Sequence, residues 1–284
     1  TGRSPTGEGS AMLTNMSRIA RIFDQLHADG RKGLMPFVTA GFPDMDATGA
    51  VLPAVEKAGA SSVELGFPFS DPIADGPVIQ SSMTDALASG ATPESIFRAV
   101  ADVRERLSIG LVAMVSYSIV YRIGVERFID TAAAAGFDGF IFPDLPLEEA
   151  GALREPVHAA GLTCSLLVAP TTPADRAKRI AEASSGFVYV VARTGITGEQ
   201  DKAPEGLGDR VAVLREATDL PIAVGFGISR PEHVAAVVEH ADAAIVGSAL
   251  VRRIGEHRDR PPAEIAERVG AYVRELTEGL AAGA

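Results

Sequence analysis

The residues best suited to chemistry lie in one stretch, Glu64-Leu65-Gly66-Phe67-Pro68-Phe69-Ser70-Asp71-Pro72-Ile73-Ala74-Asp75-Gly76-Pro77. Residues 60–67 read as a strand with Val63 and Leu65 on one face, which leaves Glu64 on the other beside the small residues Ser62 and Gly66. Enclosure disfavours a carboxyl's charged form, so a glutamate there holds its proton towards neutral pH and can act as a general acid. Pro68, Pro72 and Pro77 stiffen the connection, and Pro77 is a favoured first-turn residue, so a helix is expected to start there. Asp75 then falls at the N-cap, where helix N–H donors favour its ionised form. Two carboxyls whose surroundings separate their pKa values are the pattern of an acid–base pair. A capping aspartate and a strand-end glutamate with a local partner would give the same spacing without catalysis.

Several elements have to hold these groups in place. Ser17 to Asp29 carries Ile19, Ile22, Phe23 and Leu26 at helical spacing and is expected to cap the remainder of the fold. Beyond it, β-type runs near 34–39, 62–67, 110–115, 138–142, 163–168, 187–191, 221–225 and 242–246 alternate with amphipathic helical segments. Eight unbroken strand-then-helix units predict an α/β fold, a single (β/α)8 TIM barrel with an extra N-terminal helix. An open doubly wound sheet also alternates, but it usually shows a glycine fingerprint after its first strand, and only Thr39-Ala40-Gly41-Phe42-Pro43 stands there. Pro262 to Leu280 reads as a closing helix packed outside the last strand. No linker divides residues 17–284, which are expected to form the catalytic domain. Residues 1–16, rich in Gly, Ser, Thr and Pro, read as a disordered extension or a non-native remnant.

At 284 residues and 46% hydrophobic, the chain can bury a large core. A net charge of −11, with no Lys/Arg cluster interleaved with aromatics, argues against nucleic acid and anionic membrane as partners. The single cysteine, Cys164, lies in an apolar run, which excludes an intrachain disulfide and suggests a buried, inert thiol in a reduced compartment. No apolar run approaches the roughly 20 residues that span a bilayer, and Thr1 to Leu13 lacks signal-peptide character. A cytoplasmic location is the expectation.

In such a barrel the C-terminal strand ends carry the active site. Here they hold Phe37 and Thr39, Glu64 with Asp71 and Asp75, Met114 to Tyr117, Pro143-Asp144-Leu145-Pro146, Ala169 to Thr172, Tyr189, Gly225-Phe226-Gly227 and Gly247-Ser248. All five histidines (His27, His158, His233, His240 and His257) fall in or near helices, where solvated side chains are expected rather than metal ligands. Gly225-Phe226-Gly227 and Gly247-Ser248, at adjacent strand ends and each before a helix, offer bare N–H groups to a phosphate, although tight turns alone would also use glycine. Arg193-Thr194-Gly195-Ile196-Thr197-Gly198 opens a long polar run that could close as a lid or be an inert insertion. Tyr189, if buried, needs a partner for its hydroxyl and could meet a carboxylate across the barrel mouth.

These residues resemble the tryptophan synthase alpha chain family. The resemblance rests on Glu64-Leu65-Gly66, Pro68 to Pro72 and Ala74 to Pro77, with agreement at Phe37 to Pro43, Pro143 to Pro146, Arg193 to Gly198, Gly225 to Ser229 and Gly247-Ser248, and it spans Ser17 to about Leu280. It implies a lyase without a cofactor of its own, which cleaves indole-3-glycerol phosphate to indole and glyceraldehyde 3-phosphate. It also implies a partner, the pyridoxal-phosphate-dependent beta chain, in an α2β2 heterotetramer. By the same resemblance Glu64 protonates the indole ring, Asp75 accepts its N–H and Tyr189 orients Glu64. Phe37 contacts the indole; Gly198, Gly225, Gly227, Gly247 and Ser248 hold the phosphate; Thr197 joins the lid to Asp75; and Asp71 and Pro72 meet the beta chain. Ser116 and Ser118 depart from the pattern, standing where the family usually has Tyr and Asn. The alternatives are a sugar-phosphate isomerase or epimerase barrel and a non-catalytic activating subunit.

Overall fold

Each strand pairs in parallel with its neighbours, and the sheet they form closes on itself. The computed structural model describes residues 16–72, 75–191, 206–225 and 227–283. Residues 1–15 of the expected N-terminal extension lie outside these. In chain order the elements are α1 (Arg18–Ala28), β1 (Gly33–Thr39), α2 (Met45–Lys57), β2 (Ser62–Gly66), α3 (Pro77–Ala88), α4 (Pro93–Arg104), β3 (Gly110–Met114), α5 (Tyr117–Ile123), α6 (Val125–Ala135), β4 (Gly139–Ile141) and α7 (Leu147–Ala159). They continue with β5 (Thr163–Ser165), β6 (Leu167–Val168), α8 (Ala174–Ala183), β7 (Val188–Val191), α9 (Leu207–Arg215), β8 (Ile222–Gly225), α10 (Pro231–Val238), β9 (Ala243–Val246), α11 (Ser248–Gly255) and α12 (Pro262–Thr277), and a 3-10 turn over Glu278–Gly283.

The fold is the expected (β/α)8 barrel. Its fifth strand is in two pieces, β5 and β6, separated only by Leu166, whose N–H turns to the Ser184 hydroxyl at 3.3 Å. Because β5 pairs with β4 and β6 pairs with β7, this short segment joins the two ends of the strand order and closes the barrel.

Two cores result. The larger fills the space between sheet and helices. The smaller lies inside the barrel, where Met35, Val112, Ile141, Phe187, Ala223, Ala243 and Ile245 meet Ile19 and Phe23 from α1. Helix α1 therefore plugs the N-terminal end of the barrel, as its apolar stripe predicts. Glycine makes room for it: a Cβ at Gly110 would overlap Ile19 Cδ1, and one at Gly33 would sit 3.4 Å from Leu26 Cδ1. An ionic anchor adds to the packing, with Asp138 accepting from Arg18 Nε at 3.0 Å, Arg104 Nη1 at 3.4 Å and the Leu111 N–H at 2.8 Å.

At the other end of β2, Phe67 lies among Phe97, Phe128 and Phe137, with ring centroids 5.6 to 5.9 Å apart in tilted arrangements that suit aromatic quadrupoles. Its N–H also donates to the Met114 carbonyl at 2.8 Å, so the residue just past Glu64-Leu65-Gly66 is fixed from two sides.

Helix α12 runs along α2, so close that a Cβ at Gly270 would sit 3.3 Å from the Ala54 carbonyl oxygen. It also meets α10, which lies against β9, and α11, which lies over β1. Truncating the plug should be costly: Ile19→Ala is expected to lower stability by about 2–5 kcal/mol in urea denaturation, whereas a loss below about 1 kcal/mol would mean that α1 is not packed as described.

Candidate active site

Glu64 faces the barrel interior from the middle of β2 and is wholly buried. Neither carboxyl oxygen has a hydrogen-bond partner among the described residues, and the same is true of the Ser62 hydroxyl on the same inward face. With burial unopposed, the carboxyl's pKa is pushed well above its ordinary value. Phe37, directly opposite on β1, is its register partner. The Phe37 ring lies against Gly66, where any Cβ would overlap it, and the Phe37 Cβ is 3.9 Å from where a Cβ at Gly247 would stand. The ring thus sits between the glutamate's strand and the glycine that opens α11.

Asp75 departs from its expected surroundings. The helix does begin at Pro77, but its N-cap is Gly76 and no side chain caps it. Asp75 stands one residue too early to receive the helix donors, so burial dominates and lifts its pKa to about 6, where helix capping would have lowered it. The two carboxyls therefore differ in degree: both are raised, and Asp75 remains largely ionised at neutral pH. Gln80, in the first turns of α3, has no role in the sequence reading. Its amide donates to the Asp75 carbonyl at 2.8 Å and to the Pro72 carbonyl at 3.2 Å, which holds the loop onto the helix. A glutamine at the start of a helix that follows a proline-rich loop is a weak signal.

Burial pushes the Tyr189 phenol pKa on β7 well up, and the nearby Glu64 and Asp75 charges raise it further. Its hydroxyl has room because Gly225 is bare: a Cβ there would lie 3.3 Å from the oxygen. No direct hydrogen bond joins Tyr189 to Glu64 in this structure. Beyond β8, Gly227 takes φ +71°, a left-handed angle that suits glycine. Gly247 is the N-cap of α11 and no side chain caps the helix, whose first turn begins at Ser248 and carries the positive end of the helix dipole. Thr197, Gly198 and the expected lid as far as residue 205 lie outside the described residues, as do Ile73, Ala74 and Phe226, while the end of that polar run begins α9 at Leu207.

At the rim, Asp71 is exposed and accepts from the Ser70 hydroxyl at 2.6 Å, and Pro72 is half-buried. Ser116 and Ser118 acquire a structural account. Ser116 N-caps α5, bonds Ser118 through their hydroxyls at 2.5 Å and donates to Asp144 at 2.6 Å, while Asp144 also takes the Tyr117 N–H at 2.9 Å. Small hydroxyls let the loop after β4 reach across to the start of α5. Cys164 is buried, and its thiol pKa is pushed up to about 12. His233 corrects the reading of solvated histidines: it is buried in α10, with Nδ1 taking the Ser229 N–H at 3.3 Å and Nε2 3.1 Å from Arg230 Nη2. Among the described residues no group of three His, Cys, Asp or Glu side chains could hold a metal ion, and no helix is long and apolar enough to cross a membrane.

A protonatable carboxyl sealed below the mouth, an ionisable one above it and a glycine-lined helix start across β1 are the parts of an acid–base enzyme on a (β/α)8 barrel. The family model described as tryptophan synthase alpha chain matches residues 23–281. The tryptophan synthase alpha chain of Chloroflexus aurantiacus is 46% identical over 267 residues, which cover 94% of this chain and 99% of that one. The crystal structure of tryptophan synthase subunit alpha from Legionella pneumophila superposes with a TM-score of 0.84 at 33% identity, covering 94% of this chain and 99% of that one. An aminoacrylate-bound tryptophan synthase from Mycobacterium tuberculosis superposes at 0.81 and 31%, with 93% and 99% covered. The chain belongs to the tryptophan synthase alpha chain family. It is a lyase of tryptophan biosynthesis that cleaves indole-3-glycerol phosphate to indole and glyceraldehyde 3-phosphate, which sets aside the isomerase and silent-subunit readings.

The burial of Glu64 has a stability signature. Between the ordinary carboxyl pKa and the raised one the native state binds more protons than the unfolded chain, so stability falls as pH rises through that window. Glu64→Gln removes this loss, and its melting temperature is expected to exceed the wild type's by a margin that widens from pH 5 to pH 8. A margin independent of pH would contradict the raised pKa.

Proposed function

We propose that Glu64 and Asp75 divide the acid–base work of the lyase reaction. Glu64 gives its proton to the third carbon of the indole ring, leaving an indoleninium whose positive charge is shared with the ring nitrogen. The Glu64 carboxylate then takes the proton of the hydroxyl on the carbon attached to that position. As it does so, the C–C bond breaks, its electron pair restores the aromatic ring, and that carbon leaves as the aldehyde of glyceraldehyde 3-phosphate. Glu64 finishes as it began, protonated. Asp75 accepts the ring N–H and stabilises the cation while it exists.

The observation that carries this reading is the sealed Glu64 carboxyl with no partner among the described residues, since such a group holds a proton that nothing in the folded chain competes for. Tyr189, coupled to both carboxylates, positions Glu64 once it is charged. Phe37 packs against the indole. Gly225, Gly227, Gly247 and Ser248, with Gly198, cradle the phosphate, and Thr197 brings the lid onto Asp75. The reaction needs no cofactor on this chain, because the protonated ring is itself the electron sink. Pyridoxal phosphate belongs to the beta chain, the partner with which an α2β2 complex forms and which Asp71 and Pro72 contact from the rim. Residues 17–284 act as one catalytic unit, in the cytoplasm.

Indole release by the isolated chain in chelator, with and without a beta chain, tests the assignment. Glu64→Gln should lower kcat by about 10²–10⁴-fold while still binding and activating a beta chain; normal turnover would exclude Glu64 as the acid. The pH profile of kcat/KM should rise on its acid side through a pKa of about 6 as Asp75 ionises, and fall on the alkaline side as Glu64 loses its proton. A profile flat between pH 5 and 7 would remove Asp75 from the reaction.

A further inference from the structure

We propose that Tyr272, on α12 outside the barrel, is a positioning residue that locks the two halves of the phosphate cradle to each other; this rests on the cradle assigned above. One half is the loop between β8 and α10, which contains Gly227. The other is the start of α11 at Gly247 and Ser248. Both must aim N–H groups at the oxygens of one phosphate, so their relative placement sets how many donors reach it, and an error of about 1 Å is enough to lose them.

The Tyr272 phenol touches both halves. Its hydroxyl donates to the Ser229 carbonyl at 2.8 Å, two residues beyond Gly227 in the loop. Its ring lies under the guanidinium of Arg253, whose central carbon is 4.9 Å from the ring centroid, and Arg253 belongs to α11. The Tyr272 side chain is buried, while the Arg253 head group on its other face is partly exposed. Ser229 is held from its other side as well, because its N–H goes to His233 of α10. The peptide at Ser229 is thus stretched between α10 and α12, and α12 in turn grips α11 through the same aromatic ring. Helix α12 seats on α2, a surface remote from the chemistry, so it provides a fixed reference for the cradle.

Tyr272→Phe keeps the ring and its contact with Arg253 and removes the bond to Ser229. One net hydrogen bond of positioning corresponds to about a five-fold weakening of phosphate binding. The inhibition constant of glycerol 3-phosphate and the KM for indole-3-glycerol phosphate should both rise by about that factor, while kcat and the inhibition constant of indole, which lacks the phosphate, stay unchanged. Unchanged glycerol 3-phosphate inhibition, or an equal loss for indole, would overturn the proposal alone. A wild-type enzyme that bound glycerol as tightly as glycerol 3-phosphate would overturn the cradle itself, and this proposal with it.

Discussion

A carboxyl group wholly buried in the interior of a barrel of parallel strands is the constraint around which this molecule is arranged. Keeping Glu64 dry requires closure on every side. The fifth strand closes the sheet, α1 seals the lower end, and Phe37 with the bare Gly66 fills the level of the carboxyl. Any of these left open would admit water, let the charged form be solvated and return the group to an ordinary acid. The aromatic cluster around Phe67 serves the same end by fixing where β2 stops and the loop that carries Asp75 begins.

The strand order gives the site its span. β1 lies between β2 and β9, so the carboxyl pair on one side and the helix start of α11 on the other are separated by a single strand, and Phe37 rises from that strand between them. On the proposed assignment, the aromatic ring and the phosphate of the substrate lie on opposite sides of this strand. The electrostatics divide in the same way: raised carboxyl pKa values over β2, and backbone donors beyond β9.

Much of this is legible in the sequence because it depends on period and composition. The eight strands, the plug helix and the inward face of Glu64 come from alternation and helical spacing, and the glycines at the last two strand ends from the need for bare backbone. The features that are not legible depend on offsets of a single residue or on distant surfaces. Spacing makes Asp75 the cap of α3, and one residue decides for Gly76, which reverses the direction of the Asp75 pKa shift. Composition carries no warning that the fifth strand breaks at Leu166. The seating of α12 against α2, α10 and α11 depends on which helices the closed ring brings beside it, a fact about the assembled barrel. His233 looks like any helical histidine until Ser229 and Arg230 are folded against it.

The seal made by α1 has a consequence for how the chain is made. Its residues leave the ribosome before the strands of the barrel, yet the surface that receives Ile19 and Phe23 includes Ala243 and Ile245 of β9. This helix therefore has no complete docking site until β9 has emerged, and its apolar stripe stays without its native cover until then. In a nascent barrel of this kind, a segment in need of shielding by chaperones is the helix made before the strands it seals.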